Sequence, residues 1–256
     1  MELADLERLG LCVVQLRPIR LTLGTSQAEN RRPTRAENRT ESGSGRERKM
    51  SKTLSLLLRH SALDFDIEVR PDGYCLLQEV LACPLLSSLN TTQADVERIV
   101  AGNDKKRFEL KEDKEDGHMI RAVQGHSMKV VDDDQLLQNV DLKNLPDCCV
   151  HGTYRKYFES IKAKGLLAGG RKGQSFRNHV HFSSFNPGDK RVISGMRYDC
   201  EIAIWIDLKR AIEDGVPFFL STNRVILSPG ISGVIEKKYF THARDLQKNE
   251  DLPLDS

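Results

Sequence analysis

A three-residue segment in the second half of the chain carries groups that suit a small ligand. His151, Gly152 and Thr153 follow residues 148–150, an apolar run typical of a buried strand. We predict that they lie at the carboxyl end of this strand, where the backbone turns. Glycine permits close approach of another backbone or of a ligand, and histidine and threonine supply hydrogen-bond donors and acceptors at fixed positions. The segment is therefore a candidate binding site.

Residues 177–183 add an arginine and two more histidines. Val180 and Phe182 alternate there with polar residues, which is the period of a strand with one buried face. A lone histidine in such a strand is more often structural than ligand-binding. Here the histidines are grouped, Arg177 stands at the edge, and an arginine–histidine pair, residues 59–60, lies far upstream. The grouping favours a functional site in which these side chains contact a polar or anionic ligand.

Composition limits the classes of function. The chain has 256 residues, enough for two small domains, and a formal net charge of +2. Binding of nucleic acid must therefore depend on local clusters of charge. Six cysteines show neither a C-x-x-C pair nor a repeating spacing, which argues against a zinc site or a disulfide framework and favours a reducing compartment. No apolar run reaches the length of a membrane span.

The N-terminal residues are predicted to be disordered. Residues 31–49 hold seven Arg or Lys, three Glu and no large apolar residue, which is typical of a solvated basic arm. Acidic residues near the start argue against a secretory signal. We expect a cytoplasmic and/or nuclear protein, and organelle targeting by residues 1–48 stays open.

The first ordered region is predicted to contain two helices followed by a hairpin. Order is predicted to begin at Ser51, in a helix with a stripe of Leu54, Leu57 and Leu58 that ends at Arg59. Threonine at 91 or 92 caps a second helix that stops at 102–103, and a hairpin with a charged turn occupies 107–123. This order is typical of a winged-helix domain, a relative of the nucleic-acid-binding helix-turn-helix. A small α/β lobe without a nucleic-acid role is equally consistent with it.

The second half is predicted to be α+β. A helix stops at Gly165, a short helix opens at Pro187, and residues 201–206 form the clearest strand. Short strands at 218–220, 225–227 and 234–235 complete a sheet. Neither G-x-G-x-x-G nor a P-loop occurs, so a Rossmann or Walker nucleotide site is excluded.

Six motifs occur together in a specific order. They are Leu58-Arg59-His60, Ile120-Arg121-Ala122, Gln124-Gly125-His126-Ser127, His151-Gly152-Thr153, Arg177-x-His179-Val180-His181 and Ile193-Ser194-Gly195-Met196-Arg197. In this order they resemble the RNA 2′-phosphotransferase (transfer-RNA 2′-phosphotransferase) family, over about residues 51–246. Each motif is weak alone, whereas the ordered set is highly specific.

The resemblance implies an α+β protein with two lobes and an active site in the cleft between them. The implied lobes are an N-terminal winged-helix RNA-binding lobe and a C-terminal lobe similar to ADP-ribosyltransferases. The predicted boundaries are 1–50 for the disordered extension, 51–127 for the winged-helix lobe, 128–147 for a linker, 148–247 for the NAD-binding lobe and 248–256 for a tail.

The resemblance also implies the reaction. In the family, the internal 2′-phosphate left at the splice junction of transfer RNA attacks the C1″ carbon of the nicotinamide ribose of NAD⁺ and expels nicotinamide. The ribose 2″-hydroxyl then attacks phosphorus. The products are RNA with a free 2′-hydroxyl and ADP-ribose 1″,2″-cyclic phosphate. NAD⁺ is thus a co-substrate, and no metal is implied.

The family's functional residues have counterparts here. Its catalytic tetrad corresponds to Arg59, His60, Arg121 and Arg177. The guanidinium groups of the three arginines can bind phosphate bidentately and keep their charge. Its NAD⁺ site corresponds to His151, Gly152 and Thr153, with His126, Ser183 and Arg197 as weaker candidates. His60 can serve in either protonation state near neutral pH.

Structural alternatives exist for each arginine. Arg59 could complement a helix dipole, Arg121 could be a cross-strand partner, and Arg177 could be a surface residue. Two other functions also stay open: an ADP-ribosyltransferase that acts on nucleic-acid phosphate or protein, and a non-catalytic RNA-binding module. We expect a monomer whose partners are NAD⁺ and a transfer RNA with an internal 2′-phosphate, and no membrane partner.

Overall fold

The computed structural model describes residues 37–169 and 177–254, with side chains from Gly45 onward. The helices are α1 (Glu37–Leu56), α2 (Leu77–Ala82), α3 (Pro84–Ser87), α4 (Gln93–Ala101), α5 (Asp133–Leu136), α6 (Arg155–Lys164) and α7 (Leu208–Glu213), with a π-helical turn at Leu57–Ser61 and 3-10 turns at Leu63–Phe65 and Lys237–Tyr239. In the described ranges, none of these helices has the length and apolar character needed to cross a membrane.

The strands pair antiparallel in three sheets. They are β1 (Cys75–Leu76), β2 (Phe108–Asp113), β3 (Gly117–Ala122), β4 (Gln138–Asn139), β5 (Val150–Thr153), β6 (Leu166–Leu167), β7 (Val180–Ser183), β8 (Ile202–Ile206), β9 (Phe219–Leu220), β10 (Val225–Ser228), β11 (Val234–Ile235), β12 (Phe240–Asp245) and β13 (Glu250–Leu252). The order is β1-β3-β2 in the small sheet and β13-β12-β8-β5-β7-β10-β9-β4 in the large one, with β11 and β6 as a separate pair. The mixture of helices and sheets confirms the α+β class.

By its contacts the chain divides into Met1–Thr40 and Glu41–Ser256, and the second unit contains every strand described above. This unit has two hydrophobic cores. Strand β10 contributes to both, because Val225 and Leu227 pack in the first core and Ile226 packs in the second. Side chains alternate between the two faces of a strand, so the large sheet separates the two cores.

The predicted stripe of the first helix is confirmed, because Leu54, Leu57 and Leu58 are fully buried. However, α1 begins at Glu37 rather than at Ser51. Met50 is buried in the first core, and the Nη2 of Arg46 donates to the carboxylate of Asp95 at 3.0 Å. The expected disorder therefore does not extend to residues 45–50, since these contacts hold them in place. Residues 1–36 lie outside the described residues.

The predicted second helix and hairpin are also confirmed. Thr92 caps α4, and its side chain and that of Asp95 form a reciprocal capping box. Phe108 pairs with Ala122 in the β2–β3 hairpin. These local signals were sufficient to predict the elements.

Residues 128–147 are more than a linker. They contain α5 and β4, and Met128, Val131 and Leu136 pack in the first core. Strand β4 joins the edge of the large sheet by pairing with β9. The segment predicted as a linker is therefore part of the packed structure.

The short helix predicted after Pro187 is wrong. The chain there makes consecutive turns, in which the main-chain N–H of Val192 donates to the carbonyl of Asp189 at 3.0 Å. Gly195 has a φ of +85° and lies against the backbone of Phe182, so close that a side chain would collide with the carbonyl oxygen. Contact with β7, rather than helical periodicity, sets this path.

Candidate active site

Arg59 and His60 lie on the π-helical turn that follows α1. The sequence predicts an α-helix through this point, but the turn widens instead, as often occurs at functional sites. The main-chain N–H of Ser127 donates to the carbonyl oxygen of Arg59 at 2.9 Å. The turn is thus fixed by a segment far along the chain.

The guanidinium of Arg59 is buried without a counter-ion. Arg59 is only 7% exposed, and its Nε and Nη2 atoms have no hydrogen-bond partner in the part of the chain that is described. Burial, followed by the positive charges of Arg177 and Arg107, lowers the pKa of Arg59 to about 10. The group is still charged at neutral pH. Because buried charges are normally paired, this is a place where an anion would be stabilised.

His60 lies beside Arg59 and contacts Ser127. Its Nδ1 is 2.9 Å from the hydroxyl oxygen of Ser127. Burial, followed by the charges of Arg177 and Arg59, lowers the pKa of His60 to about 4. His60 is therefore neutral at neutral pH, and a bound anion would favour its protonation.

Arg177, from the second half of the chain, lies near Arg59 and His60. It is exposed and precedes β7, and desolvation followed by the charge of Arg197 lowers its pKa. The main-chain N–H of the next residue, Asn178, donates to the carbonyl of His126 at 3.0 Å. The structure thus brings Arg59, His60 and Arg177 within electrostatic reach of one another.

Arg121 is placed differently. Its Nε and Nη2 donate to one carboxylate oxygen of Glu109 at 3.0 and 2.8 Å, and its Nη1 donates to the carbonyl of Asp72 at 3.0 Å. The guanidinium also lies 4.5 Å from the ring centroid of Tyr74. Arg121 is therefore engaged by residues of the small sheet and of the turn before it, and each of its terminal nitrogens has one N–H left for another acceptor.

His126 lies close to Arg121 and also to Arg59 and His60. It is 2% exposed, and its Nε2 has no partner among the described residues. Burial is the main cause that lowers its pKa to about 3, and the charges of Arg59, His60 and Arg121 act in the same direction. His126 is therefore a neutral, buried ring close to all three.

The segment from His151 to Thr153 forms most of strand β5 rather than following a strand. The Nδ1 of His151 is 3.0 Å from the carbonyl oxygen of His181. A carbonyl only accepts, so Nδ1 carries the hydrogen and Nε2 is left as the acceptor. Burial also lowers the pKa of His151, which keeps the ring neutral. The ring stands edge-on to Phe182, with centroids 5.8 Å apart.

The sequence motifs contain Gln124 and His181, but sequence reasoning assigned neither of them to the phosphate or to NAD⁺. The Nδ1 of His181 is 3.1 Å from the carbonyl of His179, and its Nε2 is 2.8 Å from the side chain of Gln124. Burial lowers the pKa of His181 well below its ordinary value. The atom of Gln124 that faces Nε2 is Oε1, so both ring nitrogens face oxygens that accept and a neutral ring can donate to only one of them. Donation from Nδ1 to the His179 carbonyl requires the Gln124 amide to be turned so that its nitrogen donates to Nε2. The close spacing of His179 and His181 was the only signal in the sequence.

Gly152 serves packing inside the protein. A Cβ at this position would lie 2.9 Å from the sulfur of Cys200 and would collide with Met196. Thr153 is buried, and its carbonyl accepts from the main-chain N–H of Glu201 at 2.9 Å. Gly152 therefore lets the loop that contains Met196 pack against β5.

The two weaker candidates on β7 and its neighbouring loop differ. The hydroxyl of Ser183 donates to the carbonyl of Phe185 at 2.8 Å and accepts from its N–H at 3.1 Å, so it is already satisfied. Arg197 is exposed, and its Nη1 contacts the hydroxyl of Tyr154 at 3.1 Å. Its charge contributes to the lowered pKa of His151. Arg197 is therefore close to His151, whereas Ser183 has a structural role.

Comparison of the sequence with known proteins finds a matching family and several similar relatives. The family described as RNA 2′-phosphotransferase, Tpt1 / KptA family, matches residues 45–230. The chain is 40% identical over 220 residues to tRNA 2′-phosphotransferase 1 of Danio rerio, covering 85% of this chain and 92% of that protein. It is 40% identical over 229 residues to tRNA 2′-phosphotransferase 1 of Homo sapiens, covering 88% and 85%. It is 35% identical over 189 residues to the tRNA 2′-phosphotransferase of Saccharomyces cerevisiae, covering 73% and 80%.

Proposed function

The chain belongs to the RNA 2′-phosphotransferase family, Tpt1 / KptA, and on this premise we propose that it removes an internal 2′-phosphate from transfer RNA by transferring it to NAD⁺. The products are RNA with a 2′-hydroxyl, nicotinamide and ADP-ribose 1″,2″-cyclic phosphate. The protein is an enzyme of the tRNA 2′-phosphotransferase type.

The observation that supports this function best is the uncompensated charge at Arg59. Its buried guanidinium lies within electrostatic reach of His60, which is neutral, and of Arg177, and a bound anion would compensate its charge. A 2′-phosphate dianion would accept the N–H groups of Arg59 that have no partner. His60 would become protonated beside the phosphate and then donate to it. Arg121 would use its remaining N–H groups while Glu109 keeps it in place.

The residues on β5 fit the ribose part of NAD⁺. The Nε2 of His151 is free to accept a ribose hydroxyl, because Nδ1 is held by the His181 carbonyl. Exposed Arg197 is close enough to meet a pyrophosphate. We assign NAD⁺ binding to these two side chains, with Gly152 and Thr153 shaping the strand beneath them.

The fold assignment extends the same proposal. The small sheet with α1 and α4 corresponds to a winged-helix lobe for RNA, and the large sheet corresponds to a lobe similar to ADP-ribosyltransferases. The five cysteines within the described residues, Cys75, Cys83, Cys148, Cys149 and Cys200, are free thiols. They support a reducing compartment, and we propose a cytoplasmic or nuclear monomer.

The test is a single incubation with NAD⁺ and an RNA that carries one internal 2′-phosphate. We expect release of nicotinamide and of the cyclic phosphate, in the presence of EDTA as well, because guanidinium groups match the charge of the phosphate. The same RNA with a 2′-hydroxyl is the matched control. Nicotinamide release that leaves ADP-ribose on the RNA would indicate an ADP-ribosyltransferase, and binding without turnover would indicate an RNA-binding module.

A further inference from the structure

An open hollow of about 350 Å³ lies between helix α1 and the loop that joins α4 to β2. Its lining includes Arg48 and Ser51 from α1 and Lys105 and Arg107 from the loop. This volume falls at the lower end of the range for ligand pockets, which suits a group the size of one nucleotide.

The three cations of the hollow have no ion-pair partner within the described part of the chain, although Glu47 and Asp104 also line the hollow. Neighbouring arginines behave differently. Arg46 pairs with Asp95 at 3.0 Å and Arg121 pairs with Glu109 at 2.8 Å. The charge of the hollow is therefore available to an external anion.

The loop that carries two of these cations is held rigidly. The buried side chain of Asn223, from the turn between β9 and β10, donates to the carbonyl of Lys105 at 2.9 Å. The hydroxyl of Ser221 fixes Asn223 in turn, at 2.7 Å. The carbonyl of Arg107 accepts from the N–H of Val123 at 3.0 Å. A site fixed in this way binds without a large loss of conformational entropy.

Arg107 also links the hollow to the candidate active site. Its positive charge is among the causes that lower the pKa of Arg59, so the two guanidinium groups lie within electrostatic reach. The N–H of Val123 donates to the Arg107 carbonyl, and a Cβ at Gly125, two residues further on, would lie 3.6 Å from the Nε of Arg59. This short segment joins the hollow to the position assigned to the 2′-phosphate.

We propose that this hollow binds the sugar–phosphate backbone of the RNA nucleotide adjacent to the one that carries the 2′-phosphate. The inference rests on the proposed function and adds a second RNA subsite to it. Arg48, Lys105 and Arg107 match the charge of a phosphodiester, and the hydroxyl of Ser51 can donate to it. Contacts with the backbone carry no base information, so this subsite adds affinity for RNA without sequence preference.

The kinetic test compares two substrates. One is a 2′-phosphorylated mononucleotide, and the other is the same nucleotide extended by several residues on both sides. We expect Arg48→Ala and Lys105→Ala each to raise KM for the extended RNA roughly tenfold, the effect of losing one charged hydrogen bond. Use of the mononucleotide should not change. Lys114→Ala is the matched control, because Lys114 is an exposed cation on the hairpin turn outside the hollow.

Binding gives a readout that does not depend on turnover. Fluorescence anisotropy with the extended RNA lacking its 2′-phosphate, at low salt, should show weaker binding by Arg48→Ala. The slope of log affinity against log salt should fall by roughly 0.7 for one lost contact with single-stranded RNA. An unchanged affinity and slope, or an equal kinetic loss on both substrates, would overturn the subsite. A wild-type protein that binds this RNA through Arg48 yet processes neither substrate would instead overturn the proposed function.

Discussion

Two arginine clusters in this protein use the same side chain in opposite ways. At the start of α6, Arg155 donates through Nε and Nη2 to Asp245 at 2.8 and 2.7 Å and through Nη1 to Glu201 at 2.8 Å. Hydrogen bonds from Arg155 are the main cause that lowers the pKa of Asp245. At the candidate active site, Arg59 is more deeply buried and has guanidinium atoms with no partner.

The difference separates stability from function. The Arg155 cluster pairs one guanidinium at the start of α6 with two carboxylates, Glu201 just before β8 and Asp245 on β12, so it holds these elements together. The buried guanidinium of Arg59 keeps a positive charge, and its Nε and Nη2 have no hydrogen-bond partner among the described residues, which costs folding free energy but prepares the site for an anion. The comparison predicts that mutations in the two clusters affect different measurements.

The largest expected effect is on turnover by Arg59→Met. We expect loss of roughly 10²–10³ in kcat/KM, because one preorganised charge at the phosphate is removed. The melting temperature should stay the same or rise, since an uncompensated buried charge is replaced by an apolar side chain of similar length. Steady-state kinetics and thermal denaturation measure the two outcomes. A clear fall in melting temperature would show that Arg59 stabilises the fold, and the comparison would fail.

The next effect distinguishes Arg121 from His151. Arg121→Ala should slow the second step by roughly 10²-fold and accumulate RNA that carries ADP-ribose on its 2′-phosphate. His151→Ala should raise the NAD⁺ concentration required for the first step without this accumulation. Gel analysis of radiolabelled RNA separates the two. If Arg121→Ala retains the wild-type rate of the first step and no intermediate appears, Arg121 does not act on the phosphate.

Arg155→Ala is expected to give the reverse pattern of Arg59→Met. It leaves the carboxylate of Asp245, whose side chain is 4% exposed, without its partner. The melting temperature should therefore fall by several degrees, while kcat and KM measured at low temperature stay close to the wild-type values. Arg244→Ala, which removes an exposed pair with Asp251, is the control and should change the melting temperature little. A specific loss of kcat in Arg155→Ala would place that cluster in the catalytic machinery.

The smallest effect concerns pH. The folded-state pKa of His60 is about 4, against an ordinary value of 6.5, so between these pH values the unfolded chain binds more protons than the folded protein. The free energy of unfolding should fall as the pH drops from 6.5 to 4, by roughly 1–2 kcal/mol for this residue after solvent screening. His60→Gln should reduce this slope in pH-dependent denaturation. In NMR titrations, 2′-phosphorylated RNA should raise the pKa of His60, and an unchanged pKa would separate His60 from the phosphate.

Local patterns in the sequence were sufficient for several elements. The stripe of Leu54, Leu57 and Leu58, the β2–β3 hairpin and strand β8 follow from periodicity and turn residues that lie close together in the chain. The start of α1 and the turns after Pro187 could not be predicted in this way. Around residues 45–50 helix α1 is held by a contact with a distant residue, that of Arg46 with Asp95, and the turns follow the contact of Gly195 with Phe182.

The sequence by itself determined which side chains are available for phosphate and NAD⁺ chemistry, because an ordered set of motifs specifies residue types. Only the tertiary structure decided their states. His60 meets Ser127, 67 residues away, and His151 meets the His181 carbonyl, 30 residues away. Glu109 engages Arg121, whereas the Nε and Nη2 of Arg59 have no hydrogen-bond partner in the described ranges. The physical reason is that desolvation and the choice of hydrogen-bond partner depend on which distant groups the fold brings together. These two factors set the charge and the tautomer of each side chain, and whether it can bind a ligand.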